Sequence, residues 1–195
     1  MPETQDDLYL QAVCLAEVIL RTFEHKGKLD VTSQPVPKLR PIVSMNKRMK
    51  AVSMGKFNGT SYISVINFYL SIEDVRAKKA VGALVVYIGE KFIVDLFAQM
   101  GYPGLDEDND EEMEDAVGTF CNIIAGKFKL ALKQLGFIEL EMTHFLSYQN
   151  EATGGVLYDT SQARKYEITF EIDNENALIV ELTLGKVPKR DQWAG

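Results

Sequence analysis

Apolar residues recur at helical spacing in three segments of the chain. In residues 6–24 they fall on one face, and the same spacing returns in residues 92–100 and in residues 109–135. Each segment keeps polar residues on its other side, as a helix packed on a core does. The pattern therefore predicts three amphipathic helices, the third much the longest.

Residues suited to helix ends flank these segments. Asp6 or Asp7 could cap the start of the first helix, and Gly27 could end it. Asn109 is a good N-cap for the third helix, and Gly136 supplies its C-terminal stop. We therefore expect the third helix to span residues 109–135.

The remaining segments show the composition and period of β-strands. Strands are expected within KAVSMGKFNGTSYISVINFYL, AVGALVVYIG, FIELEMTHFLSYQ, KYEITFEID and ALIVELTLG. Asn58-Gly59 predicts a hairpin, because both turn positions favour positive φ, and residues 174–176 predict a turn between the last two strands. The proline-rich segment PVPKLRP predicts an extended connection or an edge strand.

The order of these elements is helix, strands, helix, long helix, strands. It predicts an α+β fold in which the helices pack on one face of a mainly antiparallel sheet. No composition shift marks a linker, so residues 1–195 are expected to form a single domain with its core at about residues 6–185.

Composition narrows the functional classes. The formal net charge of -7 argues against a nucleic-acid-binding surface, which is usually basic. No apolar run is long enough to span a membrane, and the N-terminus lacks the pattern of a secretory signal. Cys14 and Cys121 sit in apolar stretches, which favours free thiols in a reducing compartment. A cytoplasmic protein is expected.

The acidic run before the third helix resembles the start of a calcium loop. Asp106, Asp108 and Asp110 alternate, but Glu111 stands where an EF-hand needs glycine and Val117 where it needs a carboxylate. We therefore predict no metal site of the chain's own. Acidic residues at a helix N-terminus are explained by the helix dipole.

The third helix carries an unusual polar stripe beside its apolar face. Asp115, Thr119, Asn122 and Gly126 follow one another at helical spacing and lie on one side. A mid-helix glycine costs about 1 kcal/mol relative to alanine, so we expect something to approach the backbone at Gly126. From spacing alone, the stripe is either a docking surface or a solvated face.

The sequence DAVGTFCNIIAGKFKLAL resembles the signature helix of the CheX/CheC/FliY family of chemotaxis phosphatases. The family pattern is Asp or Ser, three residues, Glu, two residues and Asn, often followed by Ile-Ile-Ala-Gly. Asp115 and Asn122 match it, whereas Thr119 stands at the Glu position. The family's proline beyond the Asn is also absent from EMTHFLSY. Element order over about residues 6–185 is similar to that of CheX, which has one catalytic helix.

The resemblance implies a function. In this family the substrate is the aspartyl phosphate of a response-regulator receiver domain, typically CheY, and Mg²⁺ belongs to the receiver. The Asn orients the attacking water, and the Glu contacts the receiver's lysine. Here Asn122 would position the water, and partner contacts would come from Asp115, Thr119, Asn122 and Gly126. A homodimer formed through edge strands is also implied, and SYISVINFYL is a candidate strand for that pairing.

The threonine at position 119 leaves two functional hypotheses open, impaired hydrolysis and a role without catalysis. A threonine hydroxyl cannot offer lysine an ionised acceptor, so hydrolysis could be impaired, with Asp115 as a substitute for the missing carboxylate. Glu114 lies about 100° away around the helix. The alternatives are a binding module without catalysis and a structural protein associated with the flagellar switch.

Overall fold

The computed structural model describes residues 3–24, 31–102, 104–149 and 152–192. Its α-helices are α1 (Glu3–Thr22), α2 (Ile72–Arg76), α3 (Glu90–Gln99) and α4 (Asp110–Gln134). Its strands are β1 (Lys38–Pro41), β2 (Ser44–Met45), β3 (Arg48–Val52), β4 (Ser61–Tyr69), β5 (Gly82–Gly89), β6 (Glu141–Met142), β7 (Leu146–Gln149), β8 (Ala152–Val156), β9 (Arg164–Ile172) and β10 (Glu175–Leu184). A short 3₁₀ turn at Arg190–Gln192 follows.

Seven strands form the main sheet in the order β1-β9-β10-β5-β4-β6, with β7 also paired to β4. All of these pairs are antiparallel. One face carries α1, α3 and α4 over a core that includes Phe23, Phe68, Phe120 and Phe128, all fully buried. The α+β fold with helices on one face of an antiparallel sheet is therefore confirmed.

The opposite face of the main sheet is covered by a second, smaller sheet, which the sequence did not predict. It has the order β2-β3-β8. Met49 and Ala51 of β3 and Val156 of β8 pack on Val65 and Val85 of the main sheet. The central strands β4 and β5 are therefore buried on both faces, as their almost unbroken apolar sequences require.

Several local predictions need correction. Asn58 and Gly59 do not join a hairpin, since β3 pairs with β2 and β8 and β4 pairs with β5. Gly59 has φ of 104°, so a turn forms there, but inside a loop that crosses from the small sheet to the large one. The tight turns with paired positive φ are instead at Asn46-Lys47 and Asp173-Asn174, the latter slightly before its predicted position.

The helices also differ from the predictions in places. α1 begins at Glu3, so Asp6 and Asp7 lie inside it and do not cap it, and Gly27 falls outside the described residues. The predicted polar break SIEDVRAKK contains α2, which Ser71 caps by accepting a hydrogen bond from the Asp74 backbone N–H. No helix in the described part of the chain is long and apolar enough to cross a membrane.

The ends of α4 agree with the prediction. Asn109 is the N-cap, and its Oδ1 accepts a hydrogen bond from the Glu112 backbone N–H at 3.3 Å. Glu112 Oε1 in turn accepts from the Asp106 backbone N–H at 3.3 Å, so the acidic run helps to start the helix. At the other end Gly136 has φ of 93°.

A buried ionic network lies beneath the small sheet. Glu181 is 3% exposed, and its Oε2 accepts hydrogen bonds from Lys165 Nζ and from the Tyr87 hydroxyl, both at 2.6 Å. Lys56 Nζ lies 3.5 Å from Glu181 and 3.0 Å from Glu167. Burial, with the neighbouring Glu181 carboxylate, raises the pKa of Tyr87 far above its usual value. The phenol therefore stays protonated and donates to Glu181.

Replacing Lys165 by methionine is expected to destabilise the fold by about 3 kcal/mol. The variant leaves the Glu181 carboxylate buried without its closest positive charge, so that only the more distant Lys56 remains. The matched control is Lys189→Met, which removes the exposed ion pair to Asp7 and should change stability by less than about 1 kcal/mol. Urea unfolding of both variants measures the difference. Equal, small losses for the two variants would contradict the importance assigned to the buried network.

Candidate active site on helix α4

The four residues of the predicted stripe share one solvent-facing side of α4. Asp115, Asn122 and Gly126 are exposed, and Thr119 is half-buried. The opposite side of the helix is fully buried against the sheet and α1, with Phe120, Ile124 and Phe128 in the core. The helix therefore presents the stripe outward as a continuous surface.

The side chains of this stripe are not engaged within the described part of the chain. The side chains of Asp115, Thr119 and Asn122 form no hydrogen bond or ion pair with another described residue. An amide on an exposed helix surface with no partner inside the fold is available to bind water or another molecule. The fold therefore does not need these polar groups for its own contacts.

Gly126 has open space above it. Within the described residues, nothing lies within 4 Å of the position that a Cβ atom would occupy there. No described part of the chain therefore makes the close approach expected at Gly126. Any close approach that requires a glycine here must come from another molecule.

Glu114 and Asp115 are neighbours in sequence with different surroundings. Glu114 Oε1 accepts a hydrogen bond from the backbone N–H of Gln149 at the end of β7, at 3.1 Å. Asp115 points to solvent on the stripe. Since Glu114 is held against β7, Asp115 is the nearer carboxylate to the position that Thr119 occupies.

Cys121 directly precedes Asn122 but faces the core. It is fully buried, and burial raises the pKa of its thiol to about 12, despite a hydrogen bond with Ser64. At neutral pH it remains a neutral thiol, which is a poor nucleophile. Cysteine chemistry is therefore not a feature of this surface.

Sequence reasoning missed one close contact beside the stripe. A Cβ atom on Gly118 would overlap the ring of Phe145, which precedes β7. Gly118 is a mid-helix glycine like Gly126, so the same helix-propensity signal was present at both positions. Within the described chain, the close approach to a helix glycine occurs at Gly118.

The candidate surface is not a pocket. A cleft of about 500 Å³ lies elsewhere, between the loop at residues 55–60, the start of α3 and the β9–β10 turn, and no residue of α4 lines it. Among the described residues, no three His, Cys, Asp or Glu side chains are grouped so that they could hold a metal ion. An open, convex helix surface suits a macromolecular partner better than a small ligand.

Comparisons with known proteins agree with this architecture. A CheC-like superfamily protein from Shewanella sp. PV-4 matches with a TM-score of 0.58 at 15% identity, over 88% of this chain and 95% of that one. CheX from Vibrio vulnificus matches with a TM-score of 0.55 at 14% identity, over 87% and 95% of the two chains. The likeness shows a shared fold.

A third similar structure is the CheX–CheY–BeF₃–Mg²⁺ complex from Borrelia burgdorferi, with a TM-score of 0.50 at 12% identity, over 91% of this chain and 98% of that one. No curated protein matches the chain. The family model described as chemotaxis phosphatase CheX matches residues 74–171, a segment that contains all of α4. Because that match spans just over half of the 195 residues, the chain belongs to the CheX family.

Proposed function

We propose that this protein docks a CheY-like response-regulator receiver domain on the Asp115–Gly126 stripe of α4 and hydrolyses its aspartyl phosphate, with Asn122 positioning the water. The observation that carries the proposal is the stripe itself. Its polar side chains face solvent and have no partners among the described residues. The CheX in the Borrelia burgdorferi complex is bound to CheY, which supports a receiver as the partner.

The proposed chemistry needs little from the phosphatase beyond positioning. The Asn122 amide would accept a hydrogen bond from the attacking water and hold its oxygen in line with the phosphorus–oxygen bond to the receiver's aspartate. A new P–O bond forms to water, the bond to the aspartate breaks, and its electron pair returns to the carboxylate. A water proton passes to the phosphate product. Mg²⁺ would stabilise the phosphoryl charge from the receiver's side.

Thr119 is the reason to expect slow turnover. A carboxylate at this position, one turn before Asn122, would give a receiver lysine an ionised acceptor, and threonine does not. Asp115 lies one turn further back on the same exposed side, with a shorter side chain. Binding without hydrolysis is the second candidate function, and this substitution is the specific observation that favours it.

Asn122→Ala is expected to reduce the rate of phosphate decay to that of the receiver alone, because it removes the amide that would position the attacking water. Thr119→Glu should raise the rate about tenfold, because a lysine contact of about 1.4 kcal/mol is gained in the transition state. Both are measured as decay of phosphate on a phosphorylated receiver with Mg²⁺ present.

Glu175→Gln, an exposed carboxylate on β10, serves as the control for that experiment and should leave the decay rate unchanged. No acceleration by the wild-type protein would sink the enzymatic proposal and favour the binding module. A slower Thr119→Glu variant would contradict the assigned position of the missing carboxylate.

Gly126→Ala separates folding from docking. The added methyl group meets nothing in the described chain, so the variant should be more stable by about 1 kcal/mol through helix propensity. If a receiver approaches the helix closely there, the same methyl should weaken receiver binding. Chemical denaturation measures the first effect and calorimetric titration the second. A gain in stability with unchanged affinity would remove Gly126 from the docking surface.

We further propose a homodimer, with a revised choice of strand. SYISVINFYL corresponds largely to β4, which is interior and paired with β5 on one side and with β6 and β7 on the other. It therefore cannot pair across chains. Of the strands in the described main sheet, β1 and the pair β6 and β7 lie at its edges, where another strand could add.

Light scattering coupled to size exclusion tests the dimer. At micromolar concentration we expect a mass near twice the chain mass of 21.9 kDa. A mass equal to one chain across that concentration range would refute the dimer and leave the α4 proposal untouched.

A cytoplasmic location of the protein stays a prediction.

A further inference from the structure

The segment that ends in β7 lies along the side of α4. Phe145 contacts Gly118, and the Gln149 backbone N–H donates to Glu114. Between them, Ser147 Oγ donates to Ser64 Oγ at 3.2 Å. These contacts place one side of β7 against the N-terminal half of α4, immediately next to the exposed stripe.

The Phe145 ring occupies the space of a missing side chain. Its Cδ2 and Cε2 atoms lie where a Cβ atom on Gly118 would be. On a helix, Cβ positions three or four residues apart are about 5–6 Å from one another. The ring therefore lies beside the part of α4 that runs from Asp115 to Asn122.

We propose that Phe145 is a specificity-determining residue of the receiver-docking surface, forming an apolar wall beside Asn122 that contacts an apolar side chain of the receiver next to its phosphorylated aspartate. This inference rests on the proposed function. The ring is only half-buried, so part of it faces outward beside the stripe. Gly118 is the positioning residue, because any side chain there would displace the ring.

Two physical properties suit the ring to this role. An aromatic side chain supplies a large contact area with few rotatable bonds, which is why aromatic residues dominate many interfaces. An apolar wall beside a water-positioning amide also limits the number of waters that can compete for the site. The His144 ring packs edge-on against Phe145 with 5.5 Å between centroids, which helps to fix the ring.

The experiment measures binding of a CheY-type receiver saturated with beryllium fluoride and Mg²⁺, by calorimetric titration at fixed salt. Phe145→Ala is expected to weaken the Kd about tenfold, as an interface anchor does. Phe145→Leu, which keeps an apolar side chain, should lose less. The matched control is Leu146→Ala, the next residue, whose side chain is 60% exposed; alternation along the strand points it away from α4.

A double variant separates the docking role from a structural one. Gly118→Ala alone should lower Tm, because the methyl group displaces the ring. In Gly118→Ala with Phe145→Ala, the methyl group takes the vacated space, so part of the lost Tm should return. The affinity of the double variant for the receiver should nevertheless stay about tenfold below that of the wild type, because the phenyl ring is still absent.

Each outcome decides the matter. Wild-type binding together with a weak double variant supports the wall. Wild-type binding with full affinity in both Phe145→Ala and the double variant overturns the wall and leaves the proposed function standing. Equal losses for Leu146→Ala and Phe145→Ala also overturn it, since the effect would not be specific to this side. No binding of the loaded receiver by the wild type overturns both proposals.

Discussion

The contact between the β7 segment and α4 holds the helix in its rotation about its own axis, together with the buried apolar face of the helix. Phe145 rests on Gly118, the Gln149 backbone binds Glu114, and Ser147 reaches Ser64, which in turn bonds with Cys121. A change of one residue in helix register turns a side chain by about 100°. The large buried face of α4 sets this rotation, and the β7 contacts hold the helix on the side that borders the stripe. These contacts therefore help to keep Asn122 on the exposed side of the helix.

Two neighbouring stripes of α4 differ in whether they contact other strands. Asp110, Glu114, Gly118 and Cys121 face β7 or β4 and hold the helix in place. Asp115, Thr119, Asn122 and Gly126 face outward and hold nothing within the described chain. Asparagine and glycine both have low helix propensity, so in the middle of an exposed helix they lower stability, and no contact inside the described fold compensates for that loss. Their presence is explained if a partner uses the surface, in keeping with the usual conflict between function and stability.

Sequence patterns predicted the elements whose signals are local. The extent of α4 followed from apolar spacing, the Asn109 cap and Gly136, and all three agree with the structure. Long-range pairing was harder to predict. The Asn58-Gly59 signal is a turn, but nothing local shows that the strands on its two sides belong to different sheets. The short, polar strands β2 and β8 carry little apolar periodicity, so the small sheet was not foreseen.

The candidate site shows the same division between local and distant signals. Helical spacing alone placed Asp115, Thr119, Asn122 and Gly126 on one side, and the structure gives them a common exposed surface. A close approach from within the described chain occurs at Gly118, whereas an approach to Gly126 stays a prediction about a partner. Helix propensity marks a glycine as costly, but it cannot say which one has a distant neighbour. Phe145 comes from a different element, so only the tertiary structure relates it to Asn122.

The threonine at position 119 and the proposed apolar wall at Phe145 both affect how a partner would be held on the stripe. A docking surface with a carboxylate at position 119 would hold its partner through a charge-assisted contact that also sets register. With Thr119 in its place, the centre of the stripe is uncharged, flanked by open backbone at Gly126 and an aromatic ring above Gly118. If a receiver docks on this surface as proposed, its register would depend on the fit of surfaces more than on an ion pair. Such a surface can retain affinity for a receiver while losing part of the transition-state contact, which is the combination expected of a slow phosphatase or of a binding protein derived from one.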